Sequence, residues 1–226
     1  MNDAVEALLL GTSFFKALEP DHAIQVRRSL VVQTLGPGDA ICKRGFIADR
    51  WVGVAGGMIN IENSGLDGRL TTLINFSSGC WFGEGTLLKH ETWPFSAVAG
   101  EESVVATIPA ATFHWLLAHS LPFAHFLIAQ LNTRMGQFVE RCQHARLHEP
   151  QRHVAHCLAE LMDPRFHPRT EDQIHISQED LARLAGVSRA LVNRALRELE
   201  AAGLVKNQYR SILVFDTDRL RAYSQV

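Results

Sequence analysis

The stretch ISQEDLARLAGVSRALVNRALRELEAAGLV, residues 176–205, decides how the chain is read. Ser177 and Asp180 stand in capping-box spacing and predict a helix start, with aspartate in the acidic place. Leu181, Leu184 and Ala185 give that short helix an apolar face, and the small Ala182 leaves room for a second helix to cross closely. Gly186 falls at the turn, where a left-handed backbone is cheap only for glycine, and Val187 beside it is expected to be buried. Ser188 then caps a second helix. Its inner stripe is Val192, Leu196 and Leu199 with the small Ala195, and Gly203 ends it. Two helices joined by a short glycine-containing turn make a helix-turn-helix.

The outward residues near the start of the second helix are Arg189, Ala190, Asn193, Arg194 and Arg197. Recognition helices present such N-terminal residues to base edges in the major groove, where arginine suits guanine and asparagine suits adenine. Downstream, GLVKNQYRSILVFD reads as strand, turn, strand, a wing whose Lys206 and Arg210 suit phosphate contacts. From 183 to 210 six cations face only Glu198 and Glu200, in a chain of formal charge −2. A local basic segment of this kind is the footprint of a nucleic-acid contact, and a solvated helix face is its plain alternative.

Working outward, Leu121–Ala145 carries apolar or small residues at 121, 124, 128, 131, 135, 138, 142 and 145. Spacing that settles into alternating steps of three and four predicts a long helix with a coiled-coil seam. We read a homodimer joined along Ile128, Leu131, Met135, Phe138 and Cys142. Before it, SLVVQTL, INIEN, LTTLINF and SVVATI alternate with Gly, Pro, Asn and Ser turns, which predicts a β-barrel or sandwich. The expected domains are a sensor barrel over 1–120, a dimer helix over 121–149 and a winged helix-turn-helix over 150–226.

The 226 residues are 46% hydrophobic and 20% charged, an ordinary globular composition. The apolar runs are too short to span a membrane, and MNDAVEALLLG lacks the basic start of a signal peptide. Cys42, Cys80, Cys142 and Cys157 are scattered with no CxxC spacing, which fits a reducing cytoplasm rather than a disulfide framework. Nucleophile motifs and His-x-His patterns are lacking in the β-region, so no enzyme is expected and no cofactor is singled out.

Barrel, long helix and winged helix-turn-helix in that order resemble the CRP/FNR family of bacterial transcription regulators. The resemblance rests on GPGDAICKRG, GMINIEN, GRLTTLINFSSGCWFGEGTLL and SAVAGEESVVATI in the first domain, and on SQEDLARLAGVSRALVNRALRELEAAGLV in the second. It implies an α+β chain with a jelly-roll antiparallel β-barrel of the cyclic-nucleotide-binding type. It also implies a homodimer on a palindromic double-stranded operator, contact with RNA polymerase, and a small effector or redox state that shifts the heads. The base-reading arginines of the family fall on Arg189 and Arg194, with Ser188, Asn193 and Arg197 beside them; Ala190 replaces a frequent glutamate.

In cyclic-nucleotide-binding members a Gly-Glu pair is followed by Arg-Ser, the glutamate holding ribose and the arginine phosphate. Here Gly83, Glu84, Gly85 and Ser96 fit that pattern, but Phe95 occupies the arginine position, and Phe138 and Val139 stand where hydroxyl residues touch adenine. A buried phosphate without a cation is costly, so we expect no response to cAMP; Arg44 and Arg69 are the alternative cations. Trp81, Trp93 and Phe95 would suit an aromatic effector or fill the interior themselves. A regulator that responds to a cyclic nucleotide or another small ligand, or one that senses redox state or haem, stays open as the alternative. His144 with His148, and His153 with Cys157, have metal-compatible helical spacing, Cys80 is a loop thiol, and the expectation is no metal.

Overall fold

The computed structural model describes residues 3–64, 70–147, 149–164, 167 and 172–225. The chain divides into two compact units, one of Met1–Asn63 with Ile74–Arg134 and one of Ser64–Leu73 with Met135–Val226. In the first, helices α1 (Asp3–Gly11), α2 (Ser13–Lys16) and α3 (Pro20–Ser29) precede the strands. The strands are β1 (Val31–Leu35), β2 (Ala40–Cys42), β3 (Arg50–Gly56), β4 (Met58–Ser64), β5 (Leu70–Ser77), β6 (Trp81–Phe82), β7 (Ser96–Ala99) and β8 (Ser103–Pro109). Helix α4 (Glu84–Lys89) lies between β6 and β7, and α5 (Ala110–His119) follows β8.

The strands form two four-stranded antiparallel sheets, ordered β1-β8-β3-β6 and β2-β7-β4-β5. That is a jelly roll, and it corrects one expectation: the barrel is not closed. Strand β6 offers only two residues at its edge, too few ladder bonds to seam one sheet to the other. Burial alternates along β7, turning Ala97 and Ala99 inward. The interior is filled by aromatic rings: Trp51 stacks on Trp81 with centroids 4.4 Å apart, and Phe14 and Phe123 lie 5.3 and 5.5 Å from Trp51. The Trp81 indole donates to Thr12 Oγ1 at 3.1 Å, so its polar edge is satisfied.

Helix α6 (Leu121–Leu147) places Pro122 in its first turn, where a proline costs no hydrogen bond. Phe123 and Leu127 turn into the first unit's core. Another stripe is left uncovered by the described residues: Ile128, Met135 and Phe138 are 65%, 61% and 63% exposed, and Leu131 is 37% exposed. Cys142 on the same stripe is half-buried.

The second unit contains α7 (Pro150–Leu161), β9 (Gln173–Ile174), α8 (Gln178–Ala185), α9 (Arg189–Ala201), β10 (Val205–Gln208), β11 (Ser211–Val214) and α10 (Thr217–Gln225). Its sheet runs β10-β11-β9, and it has its own core around Val154, Leu158, Leu181, Val192, Leu196 and Leu220. Strand β9 and helix α10 were not anticipated. Two residues carry no period, and α10 contributes one wholly buried aliphatic side chain, Leu220.

Candidate nucleic-acid interface and sensor interior

Local chemistry positions α9 at both ends. Ser177 Oγ accepts from Asp180 N at 3.1 Å and starts α8; Gly186, at φ 64°, closes it in the left-handed region. Ser188 Oγ accepts from Leu191 N at 3.3 Å and starts α9. Val187 is half-buried against the core rather than fully buried. Val192, Ala195, Leu196 and Leu199 face inward. Arg189, Ala190, Arg194 and Arg197 are exposed, and Asn193 is half-buried with its Nδ2 donating to Arg189 O at 3.2 Å.

Among the described residues, Arg189, Arg194, Arg197, Lys206 and Arg210 have no ion-pair partner. Arg183 differs: it pairs with Asp180 at 3.2 Å and Glu179 at 3.3 Å, so the sequence count of six cations overstates the basic face by one. The wing is held to α9 by Asn207 N, which donates to Glu200 Oε1 at 2.7 Å. At its tip Arg210 takes φ 54°, unusual for a residue with a side chain. Tyr209 beside it is 92% exposed; the reading of the wing from charge alone passed it over.

The first unit contains Gly83, Glu84, Gly85, Phe95 and Ser96; Gly83 and Glu84 are buried and the other three half-buried. Gly83 sits at φ 101°, and an added Cβ would lie 2.7 Å from the Trp93 ring, so glycine is structurally required there. Glu84 is wholly buried. Its carboxylate pairs with the Arg134 guanidinium and accepts from Trp51 Nε1 at 3.3 Å. Arg134 also donates to Trp81 O and lies over the Phe76 ring, 5.0 Å from its centroid. Phe76 in turn stacks on Phe82 at 4.9 Å.

Phe95 leans on the buried Trp93 at 5.7 Å, and Ser96 Oγ accepts from Arg44 N at 3.2 Å. The Arg44 side chain donates to Asn63 Oδ1 at 2.6 Å; Arg69 lies outside the described residues. Trp81 and Trp93 are interior packing residues. Phe138 belongs to the other unit and to the exposed stripe of α6. Sequence reasoning missed Arg134, because a cation on the polar flank of a long helix gives no sign that it will turn into a carboxylate.

Cys42, Cys80 and Cys157 are buried, and burial pushes their thiols up to about 12, 11 and 12. Thiolate chemistry is suppressed at all three. Cys157 Sγ lies 3.9 Å from His153 Nε2, and burial lowers the His153 pKa. Among the described residues no three His, Cys, Asp or Glu side chains gather as metal ligands. The His144 side chain and His148 lie outside the described residues.

Comparison with known proteins follows the same division. Residues 32–120 match the cyclic nucleotide-binding domain family, and residues 152–223 match the Crp-like helix-turn-helix domain. The chain is 28% identical to the cyclic AMP receptor protein of Thermus thermophilus, over 87% of this chain and 89% of that one. It is 29% identical to the cAMP-activated global transcriptional regulator Vfr of Pseudomonas aeruginosa, over 67% and 73%. The structure of FixK2 from Bradyrhizobium japonicum superposes with a TM-score of 0.75 at 18% identity, covering 86% of this chain and 96% of that one. With both domain families matched in this order, and with relatives that share both parts, the chain belongs to the CRP/FNR family of transcription regulators.

Proposed function

We propose that the protein is a homodimeric, sequence-specific regulator that binds a two-fold operator through α9 and does not answer to cAMP. The observation that carries the DNA reading is the serine-capped α9, whose exposed face presents Arg189, Arg194 and Arg197 without ion-pair partners among the described residues. Arg189 and Arg194 read guanine, Ser188 and Asn193 assist, and Arg197, Lys206 and Arg210 meet the backbone. The exposed stripe on α6 supports pairing with a second copy. The working compartment is the cytoplasm, and RNA polymerase is the further protein partner.

The cAMP half rests on two features of the sensor unit. Phe95 holds the place where the resemblance puts the phosphate-binding arginine. Arg134, a half-buried cation of the same unit, is already matched to the buried Glu84, so a nucleotide phosphate drawing on it would leave a buried carboxylate without its partner. The Thermus and Pseudomonas relatives are named for cAMP; the reading for this chain rests on Phe95 and on the Glu84–Arg134 pair instead.

The test is to select duplexes from a random pool with no nucleotide present, then to titrate the winner with and without cAMP. We expect an inverted repeat whose affinity changes by less than about twofold on adding cAMP, since an effector must couple to alter binding. Calorimetric binding of micromolar cAMP would overturn the effector half. Failure to enrich any inverted repeat would overturn the operator half.

A further inference from the structure

Within the second unit, the C-terminal part of α6 meets α7 through an ion pair. Arg141 Nε donates to both carboxylate oxygens of Glu160, at 2.7 and 2.9 Å. The Glu160 side chain is 5% exposed and that of Arg141 23%. Burial raises the Glu160 pKa, opposed by Arg141 and by a hydrogen bond from Gln137. Gln137, one turn before Arg141, is itself buried. The connection between the helices is short, α6 ending at Leu147 and α7 starting at Pro150.

The two ends of this contact have different neighbours. Arg141 sits on α6 immediately before Cys142 of the apolar stripe, on the flank rather than in the row. Glu160 sits on α7, whose Val154, Leu158 and Leu161 belong to the core that also holds α8 and α9. An apolar contact between helices lets them slide or roll at small cost. A buried carboxylate gripped through both oxygens does not, because displacement leaves the charge without a partner.

We infer that Arg141 and Glu160 are a positioning pair: they fix the DNA-binding head on the C-terminal part of α6 and so set the spacing at which two heads meet an operator. This rests on the dimeric, operator-binding reading above. Neither residue touches DNA in this account. The stripe on α6 sets how two copies pair, and the ion pair sets how each α9 is carried from that seam. One base pair of added spacer moves a half-site by about 3.4 Å and turns it by roughly 35°, so a fixed head geometry should tolerate few spacings.

The experiment uses the full chain and the selected inverted repeat, rebuilt with spacers one and two base pairs shorter and longer, and with one half-site scrambled. The variant is Arg141→Met combined with Glu160→Met, because replacing both members of a buried pair by apolar groups is often neutral for folding. Glu160→Gln is measured beside it, as a variant that removes the charge and keeps the volume. The wild type should lose about tenfold or more in affinity at a one-base-pair change of spacer. The variants should lose less than about threefold, while single-half-site affinity stays within about twofold of wild type. A pair that only stabilised the fold would shift the melting temperature and leave the spacing profile alone. Relaxed spacing in either variant with an intact cooperative melt supports the inference; an unchanged profile in the folded variants overturns it. A wild type that selects no inverted repeat would overturn the operator reading instead, a different and earlier result.

Discussion

In the first unit Arg134 lies against a wholly buried glutamate, a backbone carbonyl and an aromatic face. On α9 of the other unit, Arg189, Arg194 and Arg197 reach into solvent with no ion-pair partner among the described residues. The same side chain therefore has two physical roles. Where the carboxylate is supplied by the chain, arginine is part of the fold, and its removal leaves a buried charge. Where none is supplied, arginine adds little to the fold and is left for an anionic partner.

The comparison predicts separable failures, the largest at the seam proposed between copies. Burying each large aliphatic side chain is worth roughly 1.5–3 kcal/mol, and a two-fold seam counts every one twice. Leu131→Glu with Met135→Glu should convert the dimer to monomer in sedimentation while each protomer keeps its circular dichroism. An unchanged dimer would place the seam elsewhere.

Arg134→Met comes next. It should destabilise the sensor unit by about 3–5 kcal/mol, the usual cost of orphaning a buried charge, read as a lowered denaturation midpoint. Glu84 together with Arg134 replaced by Gln and Met should recover part of that loss. If Arg134→Met melts like the wild type, the interior pair does not hold the fold, and the contrast with α9 fails on that side.

The smallest effect belongs to the wing. Arg210→Ala removes a phosphate contact and should weaken selected and scrambled duplexes alike, lowering the salt slope by about one per protomer. Loss confined to the selected duplex would make Arg210 a base reader.

How much of this was legible depended on how local the signal was. The helix-turn-helix could be read residue by residue, because caps, the Gly186 turn and the inner stripe are all set within a few positions of one another. The α6 stripe was legible for the same reason, its period being local. The jelly roll was visible as strands and turns, but whether its sheets close depends on edges such as the two-residue β6, which no period announces. The sensor interior was read least well. Trp81 left two readings open in the sequence, a ligand wall or interior packing, because the neighbours that bury it, Trp51 and Thr12, are distant in the chain. Arg134 with Glu84, and Arg141 with Glu160, are pairs whose partners lie 50 and 19 positions apart, and nothing in either helix's own pattern names the carboxylate.

The central claim is that α9 reads bases through arginines that the fold leaves uncommitted. Its most direct test is the affinity of Arg194→Ala for the selected inverted repeat and for a scrambled duplex of the same length, at one salt concentration. The account predicts a loss of about 1–3 kcal/mol per half-site on the selected duplex, a much smaller loss on the scrambled one, and an unchanged melting temperature. Equal losses on both duplexes would contradict it, and would make Arg194 a phosphate contact.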